Sequence, residues 1–157
     1  MNIEEFFISP EECEDITNFV YKEKKYWTKD LNNVKSLTSG FRPDYDFMHD
    51  IGKHCCNEVL PKLTKFNKWR KSCWWINFYE PGHFTDPHVH TPEDFSMIII
   101  VKPALETYCL KFETENTNYM VEEKQGLCLL FESSLKHSVN PVDSDRITIA
   151  MDFRKNQ

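Results

Sequence analysis

Glycine is scarce in this chain, at four of 157 residues. So few leave no room for a glycine-rich phosphate cradle, and neither GxGxxG nor GxxxxGK followed by Ser or Thr occurs. Long apolar runs are missing too. No window approaches ~18 uninterrupted apolar residues, so no membrane-spanning helix and no membrane partner are expected. The opening residues, MNIEEFFISPEE, are acidic and contain no apolar run, so no signal peptide is expected there. Excess positive charge is absent: the formal net charge is −6, which argues against a nucleic-acid partner. One basic run exists, Lys62, Lys65, Lys68, Arg70 and Lys71, and reads as a solvated helix end and loop. CxxC pairs are also lacking. The six cysteines (Cys13, Cys55, Cys56, Cys73, Cys109 and Cys128) therefore read as reduced thiols of a cytoplasmic protein.

Aromatic residues, by contrast, are plentiful at 14%. The length suits one domain with a sizeable core. That domain is expected to span 1–157, with 1–70 mostly helical support and 71–157 a β core. Ser9-Pro10-Glu11-Glu12 is a helix start: a capping Ser, Pro at the first helical position, and Glu12 completing a capping box. Cys13, Ile16, Phe19 and Val20 follow at helical spacing. Residues 28–43 read as loop. A second helix is marked by Phe47, Ile51, Cys55 and Val59, with Met48 and Leu63 alongside, and Pro61 is expected to end or kink it. From residue 72 the period changes. CWWINFY, FSMIIIV, TYCLKF, GLCLLF and RITIAMDF are short β-type runs separated by turn-like clusters. The expected fold is α+β but mainly β, a sandwich or small barrel braced by N-terminal helices.

The chemistry concentrates in HFTDPHVH, residues 83–90. His88 and His90 stand two residues apart, so an extended segment points both to one face, where two imidazoles can chelate one ion. Pro87 and Pro92 bracket the pair. His137, just past the GLCLLF run, is the third candidate. His83 is out of phase and reads as a loop residue; His49 and His54 lie on the second helix without metal spacing. In RITIAMDF, Ile147, Ile149, Met151 and Phe153 form one face, and Arg146, Thr148, Ala150 and Asp152 the other. Arg146 beside Thr148 makes a carboxylate clamp, a planar fork plus a hydroxyl donor.

These residues together resemble the Fe(II)/2-oxoglutarate-dependent oxygenases, in particular the small, often phage-encoded, prolyl-hydroxylase-like group. The resemblance is carried by Trp75, Asn77 and Tyr79; by His88 and His90; by Gly126, Leu127, Phe131, Ser133, His137, Val139 and Pro141; and by Arg146, Ile147, Ile149 and Ala150. It covers residues 74–153 and is most specific at the C-terminal end. It implies a double-stranded β-helix (jelly-roll, cupin-like) barrel with supporting helices. It also implies Fe(II), the cosubstrate 2-oxoglutarate, and O2. Hydroxylation of a peptidyl, prolyl-like or small-molecule C–H bond would release succinate and CO2, in the host cytoplasm if the gene is a phage's. By resemblance His88 is the first iron ligand and His137 the distal one. Arg146 with Thr148 holds the distal carboxylate of 2-oxoglutarate, and Tyr79 or Asn77 adds a hydrogen bond to it. No catalytic residue is expected beyond these metal and cosubstrate ligands.

The sequence departs from that family at one position. Most members have HxD or HxE, and here His90 stands where the carboxylate would be. Three arrangements are open: His90 is the third ligand; a loop acid (Asp86, Glu93 or Asp94) replaces it; or two histidines bind alone. Three neutral ligands leave the full charge of Fe(II), which dianionic 2-oxoglutarate offsets. Trp74, Trp75, Phe84 and Phe95 are candidates for the barrel mouth. Two other functions compete: a cupin-type metalloenzyme without 2-oxoglutarate, suggested by Gly82, His88, His90 and Asp94, and a non-catalytic domain that binds metal or 2-oxoglutarate.

Overall fold

The computed structural model describes residues 2–29 and 34–156. Its order begins with β1 (Ile3–Phe7), α1 (Pro10–Glu23), β2 (Thr28–Lys29), β3 (Val34–Lys35) and β4 (Leu37–Thr38). A long helical segment follows: α2 (Asp46–His54), a π-helical turn (Cys55–Val59) and α3 (Leu60–Thr64). Then come β5 (Trp69–Tyr79), β6 (Phe84–His88), β7 (Phe95–Lys102), β8 (Leu110–Glu113), β9 (Asn118–Met120), β10 (Leu127–Glu132), β11 (Lys136–Val139) and β12 (Arg146–Lys155). The major sheet has the order β1-β10-β7-β12-β5-β4-β2, and the minor sheet β3-β6-β11-β8-β9. All pairings among the described residues are antiparallel.

The helices form where the sequence invited them. Ser9 Oγ accepts from the Glu12 N–H at 3.1 Å and so satisfies one of the free donors of the first turn. Cys13, Ile16 and Val20 turn inward from α1. The segment from Asp46 does not stop at Pro61. It widens into the π turn, where the Leu60 N–H donates to the Cys55 carbonyl, and runs on to Thr64. Widening the turn immediately before a proline is one way a helix tolerates the missing N–H.

Residues 1–70 hold more than helices. β1 is an edge strand on β10, and β2, β3 and β4 are two-residue strands. Their brevity hid them from periodicity. Residues 30–33 of the expected 28–43 loop lie outside the described residues. β6, β9 and β11 are also additions, and His137 sits inside β11 rather than just past a strand.

Strict alternation divides the core in two. Ile147, Ile149, Met151 and Phe153 of β12 pack under the helices with Ile16, Val20, Met48, Ile51 and Leu60. Between the sheets, Ile100, Leu110, Phe112, Leu129 and Phe131 form a second cluster. All six cysteines are free, and all except half-buried Cys73 are buried. No described helix is long and apolar enough to cross a membrane.

Candidate metal centre and active site

The inner face of β12 and its neighbour β5 forms one wall of a cavity between the sheets. Cross-strand pairing sets Arg146 opposite Tyr79, Thr148 opposite Asn77 and Ala150 opposite Trp75. Directly opposed residues share a face, so these six side chains line the cavity together, joined by Ile98 from β7. The minor sheet supplies the facing wall: Thr85, His88, His137 and Val139, with His90 just beyond β6.

His88 and His137 are themselves a cross-strand pair of β6 and β11. One ligand nitrogen from each of His88, His90 and His137 lies within 4.8 Å of the others. Each imidazole is oriented from behind. His88 Nδ1 lies 2.7 Å from the Asp86 carbonyl, His137 Nδ1 3.0 Å from the Leu135 carbonyl, and His90 Nδ1 2.9 Å from Asp152 Oδ1. All three partners are acceptors, so each Nδ1 donates to the group behind it and Nε2 is the nitrogen left for the cluster. The Nε2 atoms of His88 and His90 lie 3.0 Å apart. A proton or a cation must sit against that contact, since two lone pairs would repel there. This donor set fits a divalent transition metal held by imidazole. Burial lowers the His88 pKa, and pushes that of His137 down to about 3 with the neighbouring imidazoles adding to the effect. Both shifts favour the neutral ring, the form that binds metal.

The loop acids point elsewhere. Glu93 pairs with Arg154 through two bonds (2.8 and 3.0 Å) and accepts from Ser72 at 2.5 Å. Asp94 Oδ2 accepts from the Lys155 N–H at 2.9 Å. Exposed Asp86 contributes its carbonyl, not its carboxylate, behind His88. Among the described residues, the three histidines are the only group gathered with metal-binding geometry.

At the other end of the cavity stands Arg146, 1% exposed. Its Nε and Nη2 donate to Glu123 Oε1 and Oε2 at 2.9 and 2.5 Å. The Tyr79 ring lies 4.7 Å from its guanidinium carbon, and the Tyr79 hydroxyl is 2.6 Å from Thr85 Oγ1. Two buried atoms in this region have no hydrogen-bond partner: Arg146 Nη1 and Asn77 Oδ1. A buried guanidinium nitrogen without an acceptor is costly, and a ligand carboxylate in the cavity would satisfy it. The donors therefore fit 2-oxoglutarate, although Glu123 already holds half of the fork.

Of the candidate mouth aromatics, Trp75 lines the cavity and stacks on His90 at 5.7 Å and 16°. Trp74 and Phe95 pack instead against the helix-side core, because β5 and β7 point them outward. Phe84 is half-buried and does not line the cavity. His83 lies in the turn before β6, its Nδ1 accepting from the Glu80 N–H, and His49 bonds Asp44 and Lys71 far from the cluster. Two site residues had no assigned role in the sequence. Asp152 was legible by phase, since it shares the face of Arg146 and Thr148. Glu123 lies between β9 and β10, where no period marks it.

The architecture is a double-stranded β-helix with supporting helices, the fold of solved 2-oxoglutarate–Fe(II) oxygenases. A viral collagen prolyl hydroxylase from Paramecium bursaria Chlorella virus-1, solved with 2-oxoglutarate, matches with a TM-score of 0.76 at 16% identity, over 99% of this chain and 97% of that one. A prolyl-4-hydroxylase from Pseudomonas putida matches at 0.78 and 11% identity, over 99% and 93%. A prolyl hydroxylase from Trichoplax adhaerens, solved with a peptide fragment of the hypoxia-inducible factor oxygen degradation domain, matches at 0.76 and 13%, over 98% and 83%. No known family model and no curated protein matches the sequence.

Proposed function

We propose that the protein is an Fe(II)/2-oxoglutarate-dependent oxygenase that hydroxylates a C–H bond of a peptidyl, prolyl-like residue or of a small molecule. One observation carries this reading: three imidazole nitrogens and a buried guanidinium with an unpartnered Nη1 line the same cavity. His88, His90 and His137 would hold the metal. Arg146 Nη1, with the Thr148 hydroxyl, would hold the distal carboxylate of the cosubstrate. Asn77 and Tyr79 stand beside them on β5, and Asn77 Oδ1 is free to accept from a bound water or ligand. When bound, Fe(II) with 2-oxoglutarate and O2 supplies the oxidising power for hydroxylation, yielding succinate and CO2. The chain's part is to orient, to clamp and to exclude water. A peptide substrate is favoured by the prolyl hydroxylases that share the fold, one of them solved with a peptide.

The test is anaerobic calorimetry of 2-oxoglutarate binding to metal-loaded protein, followed by succinate release in air. Wild type is expected to bind and turn over. His137→Ala is expected to lose metal, and Arg146→Ala to keep metal but bind 2-oxoglutarate poorly. Failure of the metal-loaded wild type to bind 2-oxoglutarate would overturn the proposal. It would favour instead a metalloenzyme without that cosubstrate, a reading supported by the hold of Glu123 on two of the Arg146 donors.

A further inference from the structure

Asp152 is buried at 6% exposure on β12, directly across from Ser96 of β7. Its Oδ1 receives two donors. One is His90 Nδ1–H at 2.9 Å, the other the Ser96 hydroxyl at 2.7 Å. Because Ser96 spends its proton on Asp152, it accepts from Ser133 at 2.9 Å. The chain of donors thus runs Ser133 to Ser96 to Asp152, with His90 arriving from the opposite side. Among the described residues, the only basic group within ion-pair distance of Asp152 is His90. No Lys or Arg side chain stands against this buried carboxylate among the described residues; its partners are an imidazole and a hydroxyl. A cation bound to the other nitrogen of that imidazole would supply a counter-charge.

Resting on the metal-site reading above, we propose that Asp152 is a positioning residue. It delivers through His90 the negative charge that a directly bound carboxylate brings in sites of two histidines and one acid. His90 and Asp152 together replace that acid: the imidazole bonds the ion, and the aspartate behind it holds the ring, fixes the Nδ1–H tautomer and makes Nε2 a stronger donor. The three ring supports are unequal in this respect. His88 and His137 rest on backbone carbonyls, and only His90 rests on a charge. The departure from the usual motif at position 90 and the acid at position 152 are therefore two halves of one exchange.

The experiment titrates metal-free protein with Co(II), reading affinity by calorimetry and geometry by the visible ligand-field spectrum. Asp152→Asn keeps the shape and still accepts from His90 Nδ1–H, but removes the charge. It is expected to weaken Co(II) binding ~10–100-fold and to shift the spectrum, with the circular dichroism of the metal-free protein unchanged. A second background isolates the charge. In a His90→Asp protein the acid at position 90 already supplies the charge, so adding Asp152→Asn is expected to weaken Co(II) binding far less than it does in wild type. A purely structural Asp152 would lower affinity equally in both backgrounds. Affinity in Asp152→Asn equal to that of wild type would overturn the proposal, as would an equal loss in both backgrounds. No Co(II) binding by folded wild type would instead overturn the metal-site reading on which it rests.

Discussion

Arg146 and Glu123 form the most deeply buried ion pair among the described residues, with side chains 1% and 0% exposed. Burial alone would lower the guanidinium pKa, and Glu123 more than reverses that. Removing one partner strands the other. Glu123→Gln and Arg146→Met are each expected to cost about 3–5 kcal/mol in urea unfolding, and Glu123→Leu with Arg146→Met together much less than the sum. A second residue offers a pH signature. Burial pushes the Lys71 ammonium from 10.5 down to about 8, although its Nζ lies 2.9 Å from His49 Nδ1 and donates to the Met48 carbonyl at 3.2 Å. Below the folded value both states hold the proton and the penalty is full. Between about 8 and 10.5 the unfolded chain binds a proton that the folded one has shed, so stability rises with pH. The buried thiols, raised above 9.0, pull the other way in both proteins, so it is the difference in denaturation midpoint, wild type minus Lys71→Met, that is expected to climb across the window.

At the scale of elements, β1 closes the edge of the major sheet through one glycine. Gly126 has φ +86°, and a Cβ there would sit 2.5 Å from the Ile8 carbonyl oxygen. Its own carbonyl receives the Ile8 N–H at 2.9 Å. Gly126→Ala is expected to cost at least ~1–3 kcal/mol for the left-handed backbone and to increase hydrogen exchange along β1 first. The elements also show what a sequence can reveal. The long strands β5, β7, β10 and β12 were legible because a buried sheet demands apolar runs. The first helix was legible because Ser9-Pro10 announces it. β11, read as a connection, carries Lys136 and His137 in four residues, too short and too polar to show a period. His88, His90, His137, Arg146 and Thr148 stood out in the sequence because imidazoles and a guanidinium in phase are conspicuous, and the fold brings all five to one cavity. Glu123 did not, since the second acid of a charged VEEK run looks like solvent-facing charge until the fold buries it and leaves Glu122 outside. That Arg154 claims Glu93, and the Lys155 N–H claims Asp94, is visible only in three dimensions.

For the whole molecule, the centre joins elements far apart in the chain, with His88 and His137 pairing across the β6–β11 junction. A ligand that binds only the folded state stabilises it by an amount that grows with the logarithm of its excess over Kd. At a free metal concentration near 100 times Kd, a gain of about 2.7 kcal/mol is expected, visible as a rise in Tm that a chelator abolishes and His137→Ala never shows. The last strand ties these scales together. Along residues 146–153, one set of positions meets hydrocarbon and the other faces the cavity of the three histidines or the ring nitrogen behind it. Exchange among Ile, Val, Leu and Met is tolerated in the first set, where volume is what matters; the second set is specified atom by atom. A saturation scan of this strand, read by solubility and by metal binding, is expected to beat with a period of two, stability failing at odd positions and chemistry at even ones, with Arg146 failing in both because its loss strands Glu123. The strand reads as two interleaved texts, one in a permissive alphabet and one with no synonyms.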